Sequence, residues 1–117
     1  MVEDEPIVRE MTHLILQDYG YRVLEANSGP EALRQWEDNS NAIDLVLTDM
    51  LMPGGMSGRD LVDKLSVSCP RLKFIFTSGY NMEEANTALS CRPGDVFLRK
   101  PYTRSGLAKA VRERLDH

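Results

Sequence analysis

Polar residues that could do chemistry stand where the apolar runs of this sequence stop. The most informative is Asp49, which follows the run 43–47 and precedes Pro53 and two glycines. A short apolar run bounded by turn residues is typical of a strand buried on both faces. Open α/β sheets bind their ligands at the carboxyl ends of such strands. For Asp49 alone, however, a turn residue or helix cap is an equally good interpretation.

The ends of four predicted strands supply a complementary set of groups, namely Glu3, Asp4, Asp49, Thr77 and Lys100. Three carboxylates held together cannot all stay ionised unless a cation joins them. Carboxylate oxygens, with a backbone carbonyl and water, are the ligands that Mg²⁺ prefers. A lysine and a hydroxyl beside them would stabilise charge on a phosphoryl group in transfer, and a carboxylate can itself be the nucleophile. Taken singly, Asp4 would be a helix cap, Thr77 a turn hydroxyl and Lys100 a solvated strand end.

Alternating strands and helices are predicted to bring these residues together. Strands are expected at 1–2, 21–26, 43–47, 72–77 and 95–100, and helices at 6–19, 30–37, 61–68, 82–89 and 107–115. Five alternations with short connections imply a parallel sheet with right-handed crossovers and helices on both faces. The helix at 82–89 has few apolar residues, so we expect it to be the most weakly packed.

The first two predicted helices carry apolar side chains at helical spacing. In the first helix, between Pro6 and Gly20, one apolar stripe contains Ile7, Met11, Leu14 and Ile15. In the second, Ala32, Leu33 and Trp36 are expected to face the core. Both patterns are those of amphipathic helices.

Composition limits the class of protein. A chain of 117 residues, with 42% hydrophobic and 27% charged residues, fits one soluble globular domain. Its net charge of −4 argues against a nucleic-acid partner. No apolar run approaches the roughly 20 residues of a membrane span, and no signal peptide is recognisable. Cys69 and Cys91 lack metal-site spacing and are interpreted as free thiols in a reducing compartment. We expect a cytoplasmic domain, whether or not its parent protein is anchored in a membrane.

Over essentially its whole length the chain resembles the receiver domain of two-component signalling. The segments that carry the resemblance are Val2–Pro6, Asp49–Pro53, Phe76–Gly79 and Phe97–Pro101. The loops 52–58, 76–80 and 100–103 are most similar to receivers attached to bacterial hybrid sensor histidine kinases. The resemblance implies one flavodoxin-like (βα)5 domain over residues 1–117, with strand order 2-1-3-4-5 and the first strand central.

The same resemblance assigns roles to the residues at the strand ends. It implies that Asp49 accepts a phosphoryl group from a phosphohistidine. Asp4 and Asp49 would ligate Mg²⁺ or Mn²⁺ directly, whereas Glu3 would do so through water and Leu51 through its backbone carbonyl. The domain would catalyse its own phosphorylation and dephosphorylation instead of acting as a conventional enzyme.

Further implied roles concern switching and partners. Thr77 and Lys100 would hold the phosphoryl oxygens, and Phe97 would change rotamer as Thr77 moves. The output surface would comprise the fourth helix, the fifth strand and the last helix. The first helix would face a sensor histidine kinase or a histidine phosphotransfer domain, with no contact to nucleic acid or membrane. Since Leu51 and Gly79 cannot orient water through their side chains, we expect the phosphoryl group to be lost no faster than in receivers with polar residues at these positions.

Two features depart from the family pattern. Gly54–Gly55 lengthens the loop after Pro53 by one residue, which should change the loop shape and not the ligands. Only Met1 and Val2 represent the first strand, so its neighbours would be partly unpaired. We therefore expect a less stable domain, one cut from a longer protein or one that borrows a strand from a partner chain and so forms an oligomer.

Three alternatives from other classes were weighed. A haloacid dehalogenase-type phosphatase needs a second Asp two residues after its nucleophile, where this chain has Leu51. A flavodoxin needs a hydroxyl-rich phosphate loop after its first strand, and the acidic residues 3–5 would repel phosphate. A pseudo-receiver would be an interaction module without phosphotransfer. The complete set of strand-end residues argues against it.

Overall fold

The computed structural model describes residues 1–39, 42–50, 56–78, 96–100 and 102–116. Its elements, in chain order, are α1 (Pro6–Asp18), α2 (Gly29–Asn39), β1 (Leu45–Asp49), α3 (Gly58–Ser68), β2 (Lys73–Ser78), β3 (Phe97–Arg99) and α4 (Arg104–Asp116). The three strands pair in the order β1-β2-β3, and both pairings are parallel. The fourth helix expected from the sequence lies outside the described residues.

The predicted first strand is reduced to a short piece of extended chain beside β1. Val2 forms isolated parallel bridges to Ala26 on one side and to Thr48 on the other. The backbone N–H of Val2 donates to the carbonyl of Leu47 at 2.7 Å, and that of Glu3 to the carbonyl of Ala26 at 3.0 Å. This placement confirms the flavodoxin-like strand order 2-1-3-4-5, with the first strand in the centre of the sheet.

The prediction of a strand over 21–26 was wrong. In this segment only Ala26 forms a bridge to the neighbouring chain. Of the described residues, only 1–3 lie between 21–26 and β1, and they bridge to this segment at Ala26 alone. Beyond Met1 the two backbones flank an open groove of about 690 Å³, lined from the sides by Trp36, Leu65 and Val111.

Helix α1 presents to the core a different face from the one its apolar stripe suggests. Pro6 occupies the first turn, and Gly20, at φ +91°, follows the helix in the left-handed conformation that favours glycine. The buried residues are Thr12, Ile15 and Leu16. Of the predicted stripe only Ile15 is buried, since Ile7 is 82%, Met11 45% and Leu14 53% exposed. The stripe is therefore largely a surface feature.

Two apolar clusters cover the two faces of the sheet and define the doubly wound architecture. One joins α2 and α3 to β1 and contains Trp36, Val46, Leu61 and Leu65. The other joins α1 and α4 to β1 and β2 and contains Leu16, Leu47, Ile75 and Leu107. The predicted inward orientation of Trp36 is confirmed, because it is 8% exposed. No helix in the described part of the chain is long and apolar enough to cross a bilayer.

Candidate phosphoacceptor site

The register of the sheet brings the strand-end residues to one edge. Asp49, the last residue of β1, is paired with Thr77 of β2, and Thr77 is paired with Leu98 of β3. Lys100 follows β3 directly, while Glu3 follows the bridge residue Val2. Because these strands are parallel, all their carboxyl ends face the same side of the molecule.

Three acidic side chains converge at this edge. Glu3, Asp4 and Asp49 each offer a carboxylate oxygen, and these atoms lie within 4.8 Å of one another. Glu3 and Asp49 are buried, at 4% and 6% exposed, whereas Asp4 is more accessible to solvent. Oxygen donors of this kind, with one side open to water, suit a hard divalent cation such as Mg²⁺. Leu51, whose carbonyl the resemblance adds to this set, lies outside the described residues.

Lys100 neutralises part of this negative charge. Its Nζ lies 2.6 Å from Oε1 of Glu3 and 2.8 Å from Oδ1 of Asp49. Burial on its own would lower the pKa of Lys100, but the hydrogen bonds to Asp49 and Glu3 outweigh it and raise the pKa. The ammonium group is therefore a fixed positive charge at neutral pH.

Glu3 shows that the lysine does not fully compensate the acids. Burial, together with the adjacent Asp49, raises the pKa of Glu3 to about 7, although the hydrogen bond from Lys100 acts in the opposite direction. A carboxyl group that still holds a proton near neutral pH indicates excess negative charge in a partly buried site. A divalent cation would relieve that excess, so the electrostatics of the site fit the metal suggested by its oxygen donors.

Asp49 receives a second donor from β2. The hydroxyl of Thr77 donates to Oδ1 of Asp49 at 2.7 Å, so this one oxygen accepts from both Thr77 and Lys100. Thr77 is itself 3% exposed. A hydroxyl and an ammonium group directed at one carboxylate are close enough to donate hydrogen bonds to a charged group that becomes attached to that carboxylate.

The backbone around Asp49 is held from several sides. Its N–H donates to the carbonyl of Val2 at 3.3 Å, and the N–H of Met50 donates to the carbonyl of Thr77 at 3.0 Å. The N–H of Gly58, the first residue of α3, donates to the carbonyl of Met50 at 2.8 Å. A capping box between Ser57 and Asp60 fixes the start of α3, which packs directly against the end of β1.

Phe97 lies where a switch residue would be expected, but the structure equally fits simple packing. Its ring is half-buried and lies 5.6 Å, centroid to centroid, from that of Phe76. Both belong to a small cluster with Met50 and Val62 beneath the site. The rotamer change that the resemblance implies for Phe97 stays a prediction.

Contacts that sequence reasoning missed come from α1. Arg9 donates from Nη1 to the carbonyl of Glu3 at 2.9 Å, which steadies the acidic segment. Thr12 and Tyr102 share a hydrogen bond of 2.6 Å between their hydroxyl groups. The available signal was a threonine within the apolar spacing of α1, but nothing local identifies its partner 90 residues away.

Comparison with known proteins identifies the family. The sequence profile of the response regulator receiver domain matches residues 1–112. The chain therefore belongs to this family of two-component signalling domains. Such domains interact with histidine kinases or phosphotransfer proteins and generally bind Mg²⁺ through acidic residues.

Two of the similar proteins are sensor kinases. The chain is 40% identical to the sensor kinase CckA of Brucella abortus over 116 residues, which are 99% of this chain and 12% of the relative. It is 31% identical to the CAI-1 autoinducer sensor kinase/phosphatase CqsS of Vibrio cholerae, covering 95% of this chain and 16% of that one. The chain thus spans only a small part of these relatives.

Solved receiver structures have the same fold. The receiver domain of the hybrid histidine kinase CckA superposes with a TM-score of 0.80 at 35% identity, covering 97% of this chain and 94% of that one. A receiver domain protein from Clostridium thermocellum gives a TM-score of 0.87 at 32% identity, covering 98% and 90%. The flavodoxin-like α/β fold predicted from the sequence is confirmed.

Proposed function

We propose that this domain takes a phosphoryl group from a phosphohistidine onto Asp49 and so switches a signalling surface. The observation that carries the proposal is the double engagement of Asp49 Oδ1, by the Thr77 hydroxyl at 2.7 Å and Lys100 Nζ at 2.8 Å. A carboxylate serving only as a cap or turn residue would have no need of a partly buried lysine and a buried hydroxyl.

In the proposed reaction a carboxylate oxygen of Asp49 attacks phosphorus, the P–N bond of the phosphohistidine breaks, and the imidazole leaves and takes up a proton. An acyl phosphate results. Lys100 and Thr77 would transfer their hydrogen bonds from the carboxylate to the phosphoryl oxygens, where the charge then lies. Mg²⁺, held by Glu3, Asp4, Asp49 and the carbonyl of Leu51, would supply the charge neutralisation that such a transfer needs.

The exposed stripe on α1 supports a helical partner that bears the histidine. Ile7, Met11 and Leu14 are all exposed and lie along one side of α1. The helix begins immediately after Asp4 and Glu5, so a partner bound to this stripe would have its histidine near the site. An apolar stripe that the fold itself does not bury is what helix-to-helix docking requires.

The proposed output is a movement at the opposite edge of the site. Thr77 would follow the phosphoryl group, and Phe97 would repack in the space beside Phe76. The surface that changes would comprise β3, α4 and the fourth helix expected from the sequence. We also propose that the phosphoryl group is lost no faster than in receivers with polar residues at these positions, because Leu51 and Gly79 offer no polar side chain for an attacking water.

Intact-mass measurement with acetyl phosphate and Mg²⁺ tests the proposal. The expected result is the gain of one phosphoryl group that hydroxylamine removes, in the wild type and not in Asp49→Asn. Asp44→Asn is the matched control, since Asp44 is exposed and precedes the amino end of the same strand. No mass change in the wild type would favour a pseudo-receiver. Steady phosphate release from a general phosphomonoester would favour a phosphatase.

A further inference from the structure

A buried hydrogen bond ties the chain just beyond Lys100 to helix α1. The hydroxyls of Tyr102 and Thr12 are 2.6 Å apart, and Thr12 is 1% exposed. Tyr102 is partly buried and packs against the apolar cluster that joins α1, α4 and the sheet. No residue of the acidic site takes part in this contact, so the site described above does not explain it.

Lys100 lies just beyond the strand pairing that the described residues show. β3 has only three residues, and its pairing with β2 ends at Arg99, opposite Ser78. Lys100 is thus the first residue beyond the ladder, yet its Nζ must reach both Glu3 and Asp49 within 2.8 Å. A long side chain has many rotamers, and fixing it requires that its main chain be held.

We propose that Tyr102 is the positioning residue for Lys100: its hydroxyl, anchored on Thr12, holds the chain after β3 so that the ammonium group lies over Asp49. The inference rests on the proposed function only for its consequence in phosphoryl transfer. The positioning of Lys100 by Tyr102 is a property of the unphosphorylated protein.

The hydroxyl is the relevant part of Tyr102, beyond the packing of its ring. The two hydroxyls share one hydrogen bond, which offsets part of the cost of burying them. A phenylalanine would keep the ring contacts with the cluster and lose the bond. The hydrogen bond also links the chain beside Lys100 to α1. Helix α1 carries the exposed stripe that we propose docks the histidine-bearing partner.

A surface contact at the same junction provides a matched control. Arg104, at the start of α4, bonds to Asp18 at the end of α1 at 2.7 Å, and both side chains are more than half exposed. This ion pair also joins α1 to the chain after β3, but it is exposed, and Arg104 is further from Lys100 in the sequence than Tyr102 is. Exposed pairs of this kind contribute little.

The test compares phosphorylation rates with acetyl phosphate at saturating Mg²⁺. Tyr102→Phe and Thr12→Val are each expected to lower the maximal rate about tenfold, because a catalytic group displaced by a fraction of an ångström loses much of its effect. The double variant should be no slower than either single variant, since both remove one bond. Arg104→Ala should stay within twofold of the wild type.

The decisive readout is the combination with Lys100→Met. If Tyr102 acts through Lys100, then Tyr102→Phe slows the wild type but leaves the residual rate of Lys100→Met unchanged. A purely structural role would slow both backgrounds equally and would overturn the inference, as would a Tyr102→Phe rate within twofold of the wild type.

A second measurement separates this inference from the proposed function. The ¹⁵Nζ signal of Lys100 in the metal-free protein should be sharp and protected in the wild type and in Arg104→Ala, and exchange-broadened in Tyr102→Phe. If the wild type takes up no phosphoryl group, the proposed function fails, and this signal still decides the positioning role. An identical Lys100 signal in Tyr102→Phe and the wild type would refute it.

Discussion

Replacing Gly58 by alanine should unfold the domain more easily and disturb Asp49. A Cβ at this position would lie 2.0 Å from the carbonyl oxygen of Asp49, 2.9 Å from its carbonyl carbon and 3.1 Å from Cα of Met50. All three are backbone atoms, so no side chain can rotate away. Since carbon and oxygen approach to roughly 3.3 Å at the closest, α3 and the end of β1 must separate by about 1 Å.

The cost follows from what that separation breaks. Overpacking against rigid neighbours costs about 1–3 kcal/mol, and stretching the 2.8 Å bond from Gly58 N–H to the Met50 carbonyl costs about 1 kcal/mol more. Alanine returns up to about 1 kcal/mol through its better helix propensity. The net destabilisation is about 1–4 kcal/mol, or a fall in Tm of roughly 5–15 °C for a domain of this size.

Gly106→Ala is the matched control for this substitution. Gly106 also lies in the first turn of a helix, but its added Cβ would meet only the side-chain hydroxyl of Thr103, at 2.9 Å. Urea unfolding should therefore place Gly106→Ala within about 1 kcal/mol of the wild type, and phosphorylation by acetyl phosphate should slow only in Gly58→Ala. Equal unfolding free energies for the two variants would show that the close approach of α3 to Asp49 does not constrain the fold.

Three further predictions concern the charges and the groove. Lys100→Met should destabilise the metal-free protein by about 3 kcal/mol at pH 8, because buried acids lose their partner, and Mg²⁺ should restore part of the loss in urea melts; an equal loss with and without Mg²⁺ would contradict this. Because the pKa of Glu3 is raised to about 7 from 4.5, the stability that its protonated form contributes is lost as pH rises through that range. Mg²⁺ must displace the same proton, so calorimetry should show its affinity rising about tenfold from pH 6 to 8 in the wild type and not in Glu3→Gln. Five apolar residues fused ahead of Met1 should enter the groove and raise Tm by at least about 5 °C, whereas a central proline in that extension should abolish the gain; a cooperative, concentration-independent melt at ordinary temperature without any extension would argue against the expected weakness.

The part of the site that could be predicted is the part that strand ends determine. An apolar run in the sequence predicts a buried strand. The residue at the end of that run then lies at the ligand-binding edge of the sheet. This is why Asp49, Thr77 and Lys100 could be placed together from the sequence. Their bonding pattern, with both donors on one oxygen of Asp49, depends on rotamers that only the folded chain defines.

The errors arose where a local pattern has two solutions. Helix α1 is apolar on more than one side, so spacing alone could not show that the core takes Thr12, Ile15 and Leu16 while Ile7 stays exposed. The segment 21–26 has strand-forming residues, but a strand also needs a neighbour, and among the described residues only Val2 bridges to it. The bond between Thr12 and Tyr102 joins residues 90 positions apart and leaves no periodic signal.

Asp49 Oδ1 accepts from two donors, and this arrangement affects how phosphorylation could change the conformation of the domain. In the free protein the Thr77 hydroxyl and Lys100 Nζ are already bonded to that oxygen. Phosphorylation would therefore exchange existing hydrogen bonds for others, and the free energy available for switching is their difference plus that of the new charge. Lys100 is held by Glu3 as well, so it can pivot in place. Thr77 has no comparable second side-chain contact among the described residues, and it sits at the end of β2 beside the short β3. We therefore expect that on phosphorylation the threonine moves and the lysine stays, so that the proposed switch lies on the β2–β3 edge of the sheet.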